Sequence, residues 1–143
     1  MISLRPAALA GIQAHGSRDY PNECCGFLLG DSARKVVEEA WPVENTWLES
    51  EDETKRRRYR IGPADMLAGQ KYADEKKLDI VGFYHSHPDH PARPSETDRK
   101  LAAYVFWSYM ILSVEQGKPA LLTSWLLTED RSKFEEETVE ICQ

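Results

Sequence analysis

His85 and His87 stand two positions apart, the spacing at which an extended chain points side chains the same way. Ile80, Val81, Phe83 and Tyr84 lead into them as an apolar run that reads as a strand, with Gly82 leaving room for a close neighbour and Pro88 ending the run. Two imidazoles are therefore presented to one side of a strand end. A loop and the start of a helix follow, and then comes Asp98. Two imidazoles and a carboxylate form a three-donor set suited to zinc, with a fourth position open for water. The competing reading is polar residues at the solvated end of a strand.

The remaining chemistry-bearing residues each carry a second reading. Ser95-Glu96-Thr97-Asp98 precedes an apolar stretch, a pattern close to a capping box with Ser95 at the cap and an acid three residues on. Capping and metal binding are compatible, because a helix starting there fixes Asp98 in its first turn. Glu23 is the only charge in the apolar run 23–30, and by itself it reads as a strand's solvated end. Nothing in its neighbourhood connects it to His85. His90 shares its loop with Pro88, Pro91 and Pro94 and reads as an exposed loop histidine. Cys24 and Cys25 read as packing in a central strand, with Cys25 on the same side as Glu23.

The elements that must position these groups are legible from periodicity. Residues 3–17 read as a helix capped by Ser3, with Pro6 tolerated in its first turn. Residues 19–22 turn the chain. Residues 23–30 form a nearly continuous apolar strand, expected in mid-sheet, and 35–43 a second strand antiparallel to it. Residues 44–58 change character: Glu44, Glu49, Glu51, Asp52 and Glu53 precede Lys55, Arg56, Arg57 and Arg58, which reads as a long exposed loop leading to a strand at 57–61. A helix of about four turns starts near Gly62-Pro63. Another runs from Ser95 to about Tyr104. Strands are expected at 108–115 and 120–128; residues 134–141 alternate weakly, with Val139 and Ile141 expected in a last edge strand. The sum is one domain over residues 1–143, α+β, with six or seven strands in a mixed sheet packed by three helices.

Bulk composition narrows the classes. A formal charge of −6 argues against general affinity for nucleic acid or anionic membranes. No apolar run approaches the roughly 20 residues that span a bilayer, and residues 1–7 lack a signal peptide's apolar region. Three cysteines, two of them adjacent, make no disulfide framework, which fits a reducing cytoplasm.

The pattern His85-x-His87, Ser95-x-x-Asp98 resembles in full the signature of the JAMM, or MPN-plus, zinc metalloproteases. Pro21-x-Glu23-x-x-Gly26-x-Leu28-x-Gly30 is similar to that family's first shared stretch. The likeness in element order spans about residues 3–128 and is strongest to small prokaryotic members. DNA-repair-associated relatives place Pro-Ser-Gly after the second histidine; Pro88-Asp89-His90 departs from that. The resemblance implies a cytidine-deaminase-like curved sheet between helices. It implies Zn2+ held by His85, His87 and Asp98, with Glu23 as general base and Ser95 as oxyanion donor. The implied substrate is a ubiquitin-like or sulfur-carrier protein cut after its C-terminal Gly-Gly, by cysteine release or tail trimming. A homodimer is left open. The alternatives are a general ubiquitin-like deconjugating isopeptidase and a non-catalytic MPN-type interaction scaffold.

Overall fold

In the computed structural model, which describes residues 1–51 and 53–143, the chain runs β1 (Ile2–Leu4), α1 (Pro6–Asp19), β2 (Cys25–Asp31), β3 (Val36–Val43), α2 (Pro63–Lys76), β4 (Asp79–Pro88), α3 (Glu96–Leu101), β5 (Ser108–Glu115), β6 (Lys118–Leu127), β7 (Phe134–Glu137) and β8 (Val139–Ile141). Asp52, one of the acids expected in the loop after residue 43, lies outside the described residues. The strands form one 8-stranded sheet in the order β7-β6-β5-β4-β2-β3-β1-β8. It is mixed: β1 runs parallel to β3 and β8, and β4 parallel to β5, while the other neighbours are antiparallel. β7 and β8 stand at opposite ends of that order although Thr138 alone separates them. The sheet therefore curls until its edges approach, and the Ile2 N–H donates to the Thr138 carbonyl at 2.9 Å.

β2 and β4 lie side by side in the middle, as their near-continuous apolar sequences require of strands covered on both faces. α1 covers one face, packing Ala8 and Ile12 with Leu28, Tyr84, Met110 and Leu112. α2 covers the other, with Ala73 beside Phe27, Leu29, Phe83 and Tyr109. Each large apolar side chain so buried contributes about 1.5–3 kcal/mol, so β4 is clamped from both sides. Tyr84 turns to the α1 face, where its hydroxyl meets His15 Nδ1 at 2.7 Å. Phe83, His85 and His87 alternate with it and share the α2 face. Gly82 permits the β4–β5 approach: a β-carbon there would stand 1.8 Å from the Ser108 carbonyl oxygen.

Four local expectations are corrected. Ser3 caps no helix; it lies in β1, paired with Val36 and Glu140, and α1 starts later, with Arg5 at its N-cap and Pro6 in its first turn. Residues 57–61 form no strand, and Tyr59 and Ile61 pack instead against the α2-side core. The helix after Ser95 ends at Leu101, short of Tyr104. The edge strand expected at Val139 and Ile141 is present as β8, but the weakly alternating residues before it form a separate strand, β7, at the other end of the sheet, which raises the strand count among the described residues to eight. The fold class is as read: α+β, with a mixed, curved sheet flanked by helices.

Candidate metal centre

The end of β4 delivers His85 and His87, and the first turn of α3 delivers Asp98. A capping box sets α3 in place: the Asp98 N–H donates to Ser95 Oγ at 3.0 Å, and the Ser95 N–H donates to Asp98 Oδ2 at 2.8 Å. That same Oδ2 lies 3.3 Å from His85 Nε2 and 3.1 Å from His87 Nε2, and the two Nε2 atoms are 3.1 Å apart. Capping and clustering thus use one oxygen, and the two readings of Ser95–Asp98 hold together.

The donor set itself tests whether a cation belongs there. The Pro91 carbonyl can only accept, so its 2.8 Å contact with His87 Nδ1 puts a proton on Nδ1 and leaves the neutral ring's lone pair on Nε2, facing the cluster. His87 Nε2 and Asp98 Oδ2 are then two acceptors facing each other at 3.1 Å with no proton between them, a repulsive contact that a cation in the cluster relieves. A tetrahedral zinc with bonds of about 2.0–2.1 Å separates its ligand atoms by about 3.3 Å, close to the edges of this triangle. The three residues fit the cation. The protonation states of His85 and Asp98 fit it as well. Burial pushes the His85 imidazole down, outweighing the nearby Asp98 charge, so the ring is neutral at pH 7. Burial alone would raise the Asp98 carboxyl, but the facing His85 and His87 rings outweigh it and hold it well below the usual range.

Glu23 reaches the site through a clasp. The Cys24 N–H donates to Ser86 Oγ at 2.8 Å, and the Ser86 N–H donates to the Cys24 carbonyl at 3.1 Å. The neighbour of Glu23 is therefore tied to the residue between the two histidines. Glu23's own N–H donates to the Lys55 carbonyl at 2.7 Å, and its carbonyl accepts from Asn45 Nδ2 at 3.0 Å. Its carboxylate, far from being a solvated strand end, is buried at 4 % exposure, and Oε1 has no hydrogen-bond partner among the described residues. Burial lifts this carboxyl well above its ordinary value; the Asp98 charge adds to the rise and Arg58 opposes it. Glu23, His87 and Ser95 line one cavity of about 290 Å³. Cys25 pairs in register with His85 but sits in the apolar cluster, and burial pushes its thiol up, away from the thiolate that a nucleophile requires. His90 is exposed, as read, yet it lines the cavity.

Three contributors escaped sequence reasoning. The Tyr59 ring stacks on His85 at 4.4 Å between centroids and 22° between planes. Buried Asn45 ties Glu23 and Arg58 together through both carbonyls. The Pro91 carbonyl orients His87. Tyr59 fell within the strand expected at 57–61 with nothing to indicate its partner, and Asn45 carried no signal.

A curved mixed sheet between helices, with two strand-end histidines and a helix-start aspartate converging on one point, defines a JAMM-type zinc metalloprotease fold with its His-His-Asp metal site. The chain belongs to the family described as prokaryotic homologs of the JAB domain, whose model matches residues 6–128. A desampylase of Haloferax volcanii is 35% identical over 109 residues, covering 76% of this chain and 75% of that protein. The CysO-cysteine peptidase of Mycobacterium tuberculosis is 27% identical over 129 residues, covering 90% of this chain and 84% of that protein. The crystal structure of a JAB1/MPN domain protein from Archaeoglobus fulgidus superposes with a TM-score of 0.62 over 100% of this chain and 98% of that one; at 17% identity it is a likeness of fold.

Proposed function

We propose that residues 1–143 act as one zinc-dependent peptidase domain that hydrolyses the bond after the C-terminal Gly-Gly of a ubiquitin-like or sulfur-carrier protein. The convergence of His85, His87 and Asp98 beside the buried, unpartnered Glu23 carboxylate carries this reading. The desampylase and CysO-cysteine peptidase relatives support the substrate class. Among the described residues no helix is long and apolar enough to cross a membrane, and all three cysteines are free; both support a cytoplasmic setting.

His85, His87 and Asp98 would hold a zinc ion, which when bound would supply Lewis acidity and lower the pKa of a water at neutral pH. Glu23 takes a proton from the attacking water and passes it to the leaving amine, a role its raised pKa suits. Ser95 Oγ accepts from the Asp98 N–H, which leaves its own hydroxyl proton free to donate to the developing oxyanion. The carrier tail lies in the apolar cleft of about 380 Å³ that Trp47, Tyr59, Ile61, Phe83 and Tyr104 line. Tyr59, stacked on His85, joins that cleft to the metal site. Residues without side chains suit the narrow approach to the scissile bond.

Mass spectrometry of products from a panel tests this: a carrier extended by one residue, a carrier extended by a short peptide, linked ubiquitin, and a free peptide of the tail sequence. Cleavage directly after Gly-Gly on the folded carriers, with little on the free peptide, is expected. Equal rates on free peptide and intact carrier would remove the carrier from the reading.

Ser95→Ala separates its two roles. Loss of the cap costs about 1 kcal/mol of stability, and loss of the donor slows turnover by about 10²–10³-fold. A thermal melt and a kinetic assay on the same preparation should show both. A lowered melt with unchanged kcat would leave Ser95 as a cap only.

A further inference from the structure

Arg57 and Arg58, from the loop between β3 and α2, and His90 and Arg93, from the loop between β4 and α3, line the same space as Glu23, His87 and Ser95. The chain as a whole carries −6, so this local positive charge runs against the average. Among the described residues neither the Arg57 nor the Arg93 guanidinium has an ion-pair partner. Arg58 donates from Nη1 to the Arg57 carbonyl at 2.8 Å and from Nη2 to Glu53 at 3.5 Å, and its buried Nε–H has no partner.

Solvated arginines on a mobile surface would mean little. These stand on fixed walls. In the second loop the carbonyls of three successive residues are held: His90 accepts from Ser113 Oγ at 2.8 Å, Pro91 faces His87 Nδ1 at 2.8 Å, and Ala92 accepts from Thr123 Oγ1 at 2.7 Å. Asp89 anchors its start, accepting from the Tyr20 hydroxyl at 2.5 Å and the Gln116 N–H at 2.8 Å. In the first loop the Lys55 carbonyl accepts from the Glu23 N–H, and the Arg58 carbonyl accepts from Asn45 Nδ2 at 2.9 Å. Two loops with fixed backbones thus each carry an exposed guanidinium free of an ion-pair partner, with the proton carrier between them, and such a pair of forks can close on an anion that arrives with the substrate.

We propose that Arg57 and Arg93, backed by Arg58 and His90, bind the free α-carboxylate of the leaving residue, making this a peptidase that releases a single C-terminal amino acid. The assignment rests on the peptidase reading above and narrows it. Bond lengths decide between leaving groups. When one residue follows the scissile bond, its carboxylate carbon lies within about 4 Å of the scissile carbonyl carbon, so it must fall in the cavity that holds Glu23 and His87. In an isopeptide the leaving nitrogen ends a lysine side chain. The backbone beyond its methylenes is neutral, and a folded partner would crowd a space of about 290 Å³. Capture of a terminal carboxylate by fixed donors is an established recognition mode, and an arginine fork matches it bidentately.

The test compares three substrates of the zinc-loaded protein: a carrier ending in Gly-Gly plus one alanine with a free acid, the same fusion ending in a carboxamide, and a carrier joined to lysine through an isopeptide bond. Hydrogen bonds to a charged group set the expected preference for acid over amide at about 10–100-fold in kcat/KM, carried mainly by KM. Arg57→Gln with Arg93→Gln should bring acid and amide to near parity without moving the melting temperature, because both side chains are exposed. Calorimetry of acid and amide fusions binding to a Glu23→Gln protein reads the same preference without turnover. Equal rates on acid and amide in the parent protein, a preference that survives both substitutions, or faster isopeptide cleavage each overturn the carboxylate assignment and leave the hydrolase standing. Absence of cleavage and binding across the panel overturns both.

Discussion

Glu23→Gln is expected to keep the fold and the metal and to lose hydrolysis by at least about 10²-fold, toward 10⁴-fold. Glutamine has the size and shape of glutamate, so the clasp of Cys24 to Ser86 and the Asn45 contact, both made by backbone groups of residues 23 and 24, survive. The carboxylate's Oε1 has no hydrogen bond to lose. What disappears is the ability to take a proton from water and hand it on. Stability should hold or rise, and the sign follows from burial. The folded-state pKa of Glu23 lies above its unfolded value. Such an acid stabilises the fold only in its protonated form, and that contribution is lost as pH rises above the unfolded value near 4.5 toward the folded one. A neutral amide escapes that loss, so the melting temperature of Glu23→Gln should match or exceed the parent's at pH 7. Elemental analysis, a melt and a turnover assay on one preparation check all three statements. Near-normal turnover by the metal-loaded variant would refute the role.

The candidate metal donors were legible as a cluster because they obey local rules. A period of two put His85 and His87 on one side of β4, and a capping box put Asp98 in the first turn of α3. Glu23 was not readable in that way. Its approach depends on the pairing of β2 with β4 and on Ser86, which carried no sign of its clasp with Cys24. Only the family's upstream motif pointed to it. The element errors share a cause. Ser3 belongs to β1 because Val36 and Glu140 come to it from far along the chain. Thr138 divides β7 from β8 because the sheet curls back on itself. Tyr59 and Ile61 alternate like a strand because both are partly buried, without a ladder partner. Long-range pairing decides each of these, and local periodicity is blind to it. The direction of Arg93 was equally hidden, since a proline-rich loop has no period from which to read it.

Removing His87 and Asp98 together should abolish metal retention, from about one zinc per chain to background, and hydrolysis with it. Two of the three convergent donors would be gone, and a single imidazole holds zinc poorly. Stability should respond in a way that isolates the metal. A cation present at about 100 times its Kd stabilises the folded state by about 2.7 kcal/mol, roughly 5–10 °C for a domain of this size. Chelator should therefore lower the parent's melt by that amount and leave the double variant's melt unmoved. Loss of the cap confounds Asp98→Ala, because Oδ2 also accepts from the Ser95 N–H. Asp98→Asn removes that ambiguity. It keeps an oxygen for the Ser95 N–H and discards the charge that faces both imidazoles, so it should melt like the chelated parent while losing zinc. Ser95→Ala makes the opposite change, weakening the cap while Asp98 remains charged, and should retain zinc. Zinc undiminished in the His87→Ala, Asp98→Ala protein would place the metal elsewhere and break the link between the capping box and the catalytic centre.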